Sequence, residues 1–175
     1  MKLFAKWRKA SVPAAEKTFV PAGPAKTDSD VGKGRKILVV DDDSVVLKTF
    51  VMKLGACGFE VLTATDGAAA VSVARQARPD VVVLDINFPP DVGNSGMSWN
   101  GFTIMQWMRR FQEVSSTPIM IITSGDPATL KSKAMANGAV AFFQKPIPFD
   151  ELLLAVGRAI SQGSGQQTTL APQPA

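Results

Sequence analysis

Four short apolar runs in this chain each end in a group able to do chemistry, and stretches of helical periodicity separate them. Ile37-Leu38-Val39-Val40 runs into Asp41-Asp42-Asp43, and Val81-Val82-Val83-Leu84 runs into Asp85. Ile119-Met120-Ile121-Ile122 ends in Thr123-Ser124, and Ala141-Phe142-Phe143-Gln144 ends in Lys145-Pro146. Wholly apolar strands alternating with amphipathic helices fit a parallel sheet covered on both faces, because such strands have no side left for water. In an open sheet of this kind, ligands bind at the carboxyl ends of the strands, near the point where strand order reverses. The acids, the hydroxyl and the lysine are therefore expected to converge on one pocket. Carboxylates gathered without compensation repel one another, so the pocket suits a hard divalent cation, and Mg²⁺ with oxygen ligands is the natural choice. A carboxylate beside Mg²⁺, with a lysine and a hydroxyl close by, can accept a phosphoryl group, since that chemistry is mostly positioning and neutralisation of charge.

The periodicity places β1 at 36–40, α1 at about 44–56, β2 at 59–64, α2 at 67–77 and β3 at 80–84. It continues with α3 at 101–113, β4 at 118–123, α4 at 127–137, β5 at 140–144 and α5 at 149–161. Turn chemistry supports these limits. Asp66-Gly67 opens α2, Arg78-Pro79 follows it, and Asn137-Gly138 closes α4 with an expected left-handed cap. Asp150 and Glu151 fall in the first turn of α5, where the helix dipole favours negative charge. Five such units resemble the flavodoxin-like, doubly wound α/β arrangement: five parallel strands in the order 2-1-3-4-5 with helices on both faces.

These residues in this order resemble the receiver domain of bacterial two-component response regulators, CheY-like and of the single-domain type, over residues 36–160. By that resemblance Asp85 is the phosphoacceptor, Asp41 and Asp42 are the metal-binding acid pair, and Asn87 offers its backbone carbonyl to Mg²⁺. Thr123 is the switch hydroxyl, Lys145 pairs with the phosphoryl group, Pro146 follows in the family's cis-prolyl position, and Phe142 takes the switch-aromatic position. The implied partners are a histidine kinase or histidine phosphotransfer protein as phosphodonor and a downstream protein that the sequence does not name. A phosphorylation-dependent dimer belongs to the same expectation. Any one motif is weak alone, since Asp-Asp after a strand is often a helix cap; four strand ends together are specific.

Histidine is absent from the chain, so neither a histidine kinase core nor a phosphotransfer domain lies within it, and phosphate arrives in trans. Cys57 stands alone, which removes disulfide frameworks and cysteine metal clusters, and it is expected as a small packing residue near a helix end. No apolar run approaches the roughly 18 residues of a transmembrane helix, and no secretory signal is visible, so a cytoplasmic protein is expected. Residues 1–34 hold seven Lys or Arg against three Asp or Glu, while residues 35–175 hold twelve of each. The whole excess of +4 therefore sits in the first segment.

The expected organisation is a basic disordered extension at 1–34, the receiver at 35–162 and a polar disordered tail at 163–175, with no DNA-binding domain following. Within residues 1–10, Leu3, Phe4 and Trp7 lie among Lys2, Lys6, Arg8 and Lys9. The leading expectation is a solubilising tail; weak docking on a partner or a membrane is the alternative. The stretch from Phe88 to Asn100 departs from the family as an insertion before Gly101, expected as a surface loop or a partner contact, and Asp91 within it could approach the metal. Ser124 and Gly125 are small and imply an open site, and Met105, Trp107, Met108 and Phe111 have the spacing of core packing in α3. Two other functions compete. A phosphatase of the haloacid dehalogenase type needs an acid two positions after its nucleophile, where this chain has Asn87, and a degenerate receiver acting as a scaffold would lack a site residue, whereas none is missing.

Overall fold

The computed structural model describes residues 32–87 and 100–164. The expectations for residues 1–31, for Asp91 and the rest of the 88–99 stretch, and for the tail beyond 164 lie outside these residues; at the two ends of the unit Gly32 is buried, with room for a Cβ closed by Cys57 and Phe59 at 2.5 Å, and the last helix runs to Ser164, three residues past the expected 161. Five strands, β1 (Lys36–Val40), β2 (Glu60–Ala64), β3 (Val81–Asp85), β4 (Ile119–Thr123) and β5 (Ala141–Gln144), alternate with five helices. All pairings are parallel and the order is β2-β1-β3-β4-β5, as the apolar runs predict.

Strand periodicity divides the core in two. Leu38, Val40, Val82, Leu84, Ile119 and Ile121 point to one face, while Ile37, Val39, Val81, Val83, Met120 and Ile122 point to the other. The first face is covered by α2 (Gly67–Ala77), α3 (Gly101–Arg110) and α4 (Pro127–Ala136) through Ala70, Ala74, Ile104, Met105, Met108 and Ala134. The second is covered by α1 (Ser44–Ala56) and α5 (Phe149–Ser164) through Leu47, Phe50, Leu54, Leu152 and Val156. Met105 and Met108 thus serve as core, as their spacing predicts, and Trp107 and Phe111 stack at 6.3 Å between ring centroids at its margin. Cys57 caps the end of α1 and packs against the second core.

Local chemistry sets the helix ends. Asp43, Asp66, Asn100 and Asp126 each sit at an N-cap, where the side chain accepts a backbone N–H of the first turn. Arg78 closes α2 in the left-handed region at φ 49°, and Gly138 follows α4 at φ 86°. Gly101 opens α3 against the end of β3, where a Cβ would lie 2.4 Å from Ile86 Cα and 2.8 Å from the Asp85 carbonyl. Only a glycine permits that approach.

α3 ends three residues before the predicted position 113. Phe111 turns to extended backbone at its C-cap, and the turn that follows drives Val114 into the core, where it is 1% exposed. Arg109 secures this turn. Its guanidinium donates to the carbonyls of Ser115 at 2.7 Å, Thr117 at 2.8 Å and Gly138 at 3.1 Å, tying α3 to the entry of β4 and the entry of β5. Burial holds its pKa below the ordinary arginine value. Hydrogen bonds from a charged donor contribute about 1.5–3 kcal/mol each at most, and a three-pronged set shares one desolvation cost. Arg109→Ala is expected to lower stability by about 2–3 kcal/mol, read as a lower urea midpoint with unchanged slope. A loss within about 0.5 kcal/mol would make Arg109 an ordinary surface residue.

Candidate phosphoacceptor site

The residue after β1, the last residue of β3, the last residue of β4 and the residue after β5 meet at one edge of the sheet. The strand order makes this possible: β1 and β4 both flank β3, so Asp41, Asp85 and Thr123 are brought side by side, and β5 adds Lys145 beyond β4. Asp41 is fully buried, Thr123 is fully buried and Asp85 is 3% exposed. Backbone hydrogen bonds extend the ladder into the site. Asp41 N–H donates to the Ala64 carbonyl at 3.1 Å, and Lys145 N–H donates to the Thr123 carbonyl at 2.7 Å. The Lys145-Pro146 peptide is cis.

The carboxylates are held by the chain that follows them. Asp41 Oδ1 accepts the Asp43 N–H at 3.0 Å, and Asp85 Oδ1 accepts the Asn87 N–H at 2.8 Å. This leaves the second oxygen of each facing the pocket, where Lys145 Nζ donates to Asp41 Oδ2 at 2.6 Å and to Asp85 Oδ2 at 2.5 Å. The ammonium thus stands between two nearly dry carboxylates that would otherwise repel. Asp42 is exposed, yet one of its oxygens belongs with those of Asp41 and Asp85 in a group whose atoms all lie within 4.8 Å of one another. Asp43, by contrast, is spent on the cap of α1.

Burial raises the Asp41 carboxyl above the usual aspartate value, because desolvation of the charge outweighs the hydrogen bonds from Lys145 and from the Asp43 backbone. Burial by itself would lower the Lys145 ammonium, but its bonds to Asp41 and Asp85 more than offset this and hold it above the ordinary lysine value. Both shifts arise where two buried carboxylates meet one ammonium, and with the exposed Asp42 the group holds three carboxylates against that one ammonium, a formal surplus of negative charge. Hard oxygen donors, close spacing and surplus negative charge fit a divalent cation such as Mg²⁺.

Thr123 accepts the Gly125 N–H at 3.0 Å through its hydroxyl oxygen. Phe142 is half-buried and packs against the first core, beside the same edge. Asn87 takes part through its side chain as well as its backbone, since Nδ2 donates to Ser124 Oγ at 3.0 Å across the mouth of the site. The sequence carries Ser124 only as a small residue; nothing in spacing alone pairs it with an amide 37 positions earlier. Beside Lys145 and Pro146, an apolar cavity of about 290 Å³ opens between α1 and the start of α5, lined by Val45, Thr49, Phe50 and Phe149. Among the described residues, no buried side-chain nitrogen or oxygen lacks a hydrogen-bond partner, and no helix is long and apolar enough to cross a membrane.

Comparison with known proteins agrees with this geometry. The family model for the response regulator receiver domain matches residues 37–157. Protein PilH of Pseudomonas aeruginosa is 31% identical over 126 residues, a match covering 72% of this chain and 98% of that protein. The transcriptional regulatory protein PrrA of Mycobacterium tuberculosis is 32% identical over 134 residues, which is 77% of this chain but 53% of PrrA. The chain thus spans about half the length of this transcriptional regulatory relative. Among solved structures, the chemotaxis protein CheY4 of Vibrio cholerae superposes with a TM-score of 0.62 at 31% identity, covering 71% of this chain and 98% of CheY4. A receiver domain protein of Clostridium thermocellum gives a TM-score of 0.64 at 26% identity, covering 74% and 97%. With its sheet order, its acidic pocket and its bridging lysine already in hand, the chain belongs to the response regulator receiver family.

Proposed function

We propose that this protein is a cytoplasmic receiver that takes a phosphoryl group on Asp85 from a histidine kinase or histidine phosphotransfer protein and signals by changing its protein contacts. The observation that carries the reading is the double hydrogen bond of Lys145 to Asp41 and Asp85, with the Asp42 carboxylate completing the group. In this reading Asp41, Asp42, Asp85 and the Asn87 carbonyl hold Mg²⁺, which when bound neutralises charge on the incoming phosphoryl group. Lys145 exchanges its contact with the Asp85 carboxylate for one with a phosphoryl oxygen. Thr123 turns its hydroxyl from the Gly125 N–H to donate to another phosphoryl oxygen, and Phe142 follows it, remodelling the face of α4, β5 and α5. The apolar cavity beside Lys145 and the exposed Val45 and Met52 of α1 support the approach of a helical, histidine-bearing donor there. A dimer on phosphorylation is a further outcome of the switch.

Incubation with Mg²⁺ and acetyl phosphate is expected to add one phosphoryl group per chain, seen as a single mass increment that chelation of the metal prevents. Thr123→Ala is expected to take up that group while losing the accompanying change in hydrogen exchange over residues 125–145. Equal exchange responses in Thr123→Ala and wild type would remove Thr123 from the switch. Steady turnover of small phosphoesters would instead favour an aspartyl phosphatase.

A further inference from the structure

Gly125 leaves a hollow beside the Thr123 hydroxyl, and a side chain from another element fills it. A Cβ on Gly125 would lie 2.6 Å from Leu130 Cδ1, 3.3 Å from Thr123 Oγ1 and 3.6 Å from Asn87 Nδ2. One point therefore gathers a methyl group from α4, the hydroxyl ending β4 and the amide following β3. The two polar groups are fixed there, since Asn87 Nδ2 donates to Ser124 Oγ and Thr123 Oγ1 accepts the Gly125 N–H. Leu130 is fixed as well: it is half-buried, packs on the first core, and its N–H donates to the carbonyl of the cap residue Asp126 at 3.2 Å. A leucine methyl has neither donor nor acceptor, so unlike a polar side chain it can neither hold nor orient a water molecule between the hydroxyl and the amide.

We propose that Leu130 is the access-limiting side chain of the phosphoacceptor pocket, excluding water from the Thr123–Asn87 side and so setting the lifetime of a phosphoryl group on Asp85. The inference rests on the phosphoacceptor reading and adds to it which residue governs the loss of the group. In that loss a water oxygen forms a bond to phosphorus. The bond from phosphorus to the Asp85 carboxylate oxygen breaks with its electron pair returning to the carboxylate, and inorganic phosphate departs with the protons of the water. Truncating Leu130 opens a hollow flanked by two polar groups, the kind of site that admits a water. A methyl group restored on Gly125 fills the same hollow from the opposite wall.

The test uses the full chain, loaded with acetyl phosphate and Mg²⁺, freed of donor by desalting and followed by intact mass. Leu130→Ala is expected to lose its phosphoryl group roughly three- to tenfold faster than wild type, a small change in barrier. Leu130→Met, which keeps an apolar side chain of similar volume, decays at the wild-type rate. Gly125→Ala added to Leu130→Ala returns decay to within about twofold of wild type, a rescue that general loosening of α4 does not produce. Should Leu130→Ala fail to fold, Leu130→Gln carries the same expectation of faster loss. Decay at the wild-type rate in these truncated or polar variants, or no reversal in the double variant, overturns the role of Leu130. A wild-type chain that takes no label overturns the phosphoacceptor reading itself, which is a separate and distinguishable result.

Discussion

Asp85→Ala is expected to take no phosphoryl group from acetyl phosphate and Mg²⁺, under conditions where the wild-type chain takes one that survives acid and is released by base. Asp85 ends the central strand of the sheet, its side chain is nearly dry, and one of its oxygens is held by the Asn87 N–H while the other faces Lys145. Its neighbours are less suited as acceptors: Asp41 has a pKa raised by burial, and Asp42 is exposed at the rim. The variant is also expected to stay folded, because removing one of two buried carboxylates leaves Lys145 paired with Asp41 and lowers repulsion. A labelled Asp85→Ala protein would falsify the assignment, and peptide mapping would say which carboxylate took its place.

Lys145→Ala is expected to produce the largest loss of stability among the site variants, about 3–5 kcal/mol near neutral pH, because it strips the counter-charge from two buried acids. The sign of its pH dependence follows from the shifts. Asp41 has a folded-state pKa raised by burial, so its contribution is fully present below the unfolded aspartate value and is lost as pH rises through the raised value. Without Lys145 this loss is larger, and the deficit relative to wild type grows from acid toward neutral pH. Lys145 itself is raised, so in wild type its contribution persists through neutral pH and is lost only as pH rises through a value above the ordinary lysine range. Added Mg²⁺ is expected to stabilise the Lys145→Ala protein by about 2.7 kcal/mol at a hundredfold excess over its dissociation constant. Denaturant midpoints for both proteins between acid and neutral pH, with and without Mg²⁺, provide the measurement. A deficit that is flat with pH would show that the lysine acts by packing its stem rather than by charge.

The strands and most of the acidic pocket are legible in the sequence because both depend on local patterns. Four-residue apolar runs fix where strands end, and parallel order then fixes which ends become neighbours; Asp41, Asp85, Thr123 and Lys145 need no further information to be grouped. Asp43 illustrates the limit of that reasoning, since three consecutive aspartates give no sign of which one caps α1. Leu130 and Arg109 mark a deeper limit. Leu130 reads as one apolar residue in a helix of weak amphipathicity, and its place over Thr123 depends on how α4 docks rather than on any periodicity. Arg109 reads as a solvated base in a last helical turn, yet its carbonyl partners come from two segments brought together by folding. The end of α3 eludes the pattern for a related reason: Gln112 and Glu113 are ordinary helix formers, and only the burial of Val114 turns the chain away from its axis.

Gly101 has a consequence for how this protein tolerates change. Because α3 begins in contact with the backbone of Asp85 and Ile86, the chain that leaves the site after Asn87 returns to it at Asn100 and Gly101. Whatever lies between those anchors is closed at its base by contacts that it does not itself supply. For such a closed excursion, doubling the length costs only about 0.6 kcal/mol in chain entropy. A change in the number of residues joining the two anchors is therefore expected to leave the aspartate, the lysine and the sheet in their places.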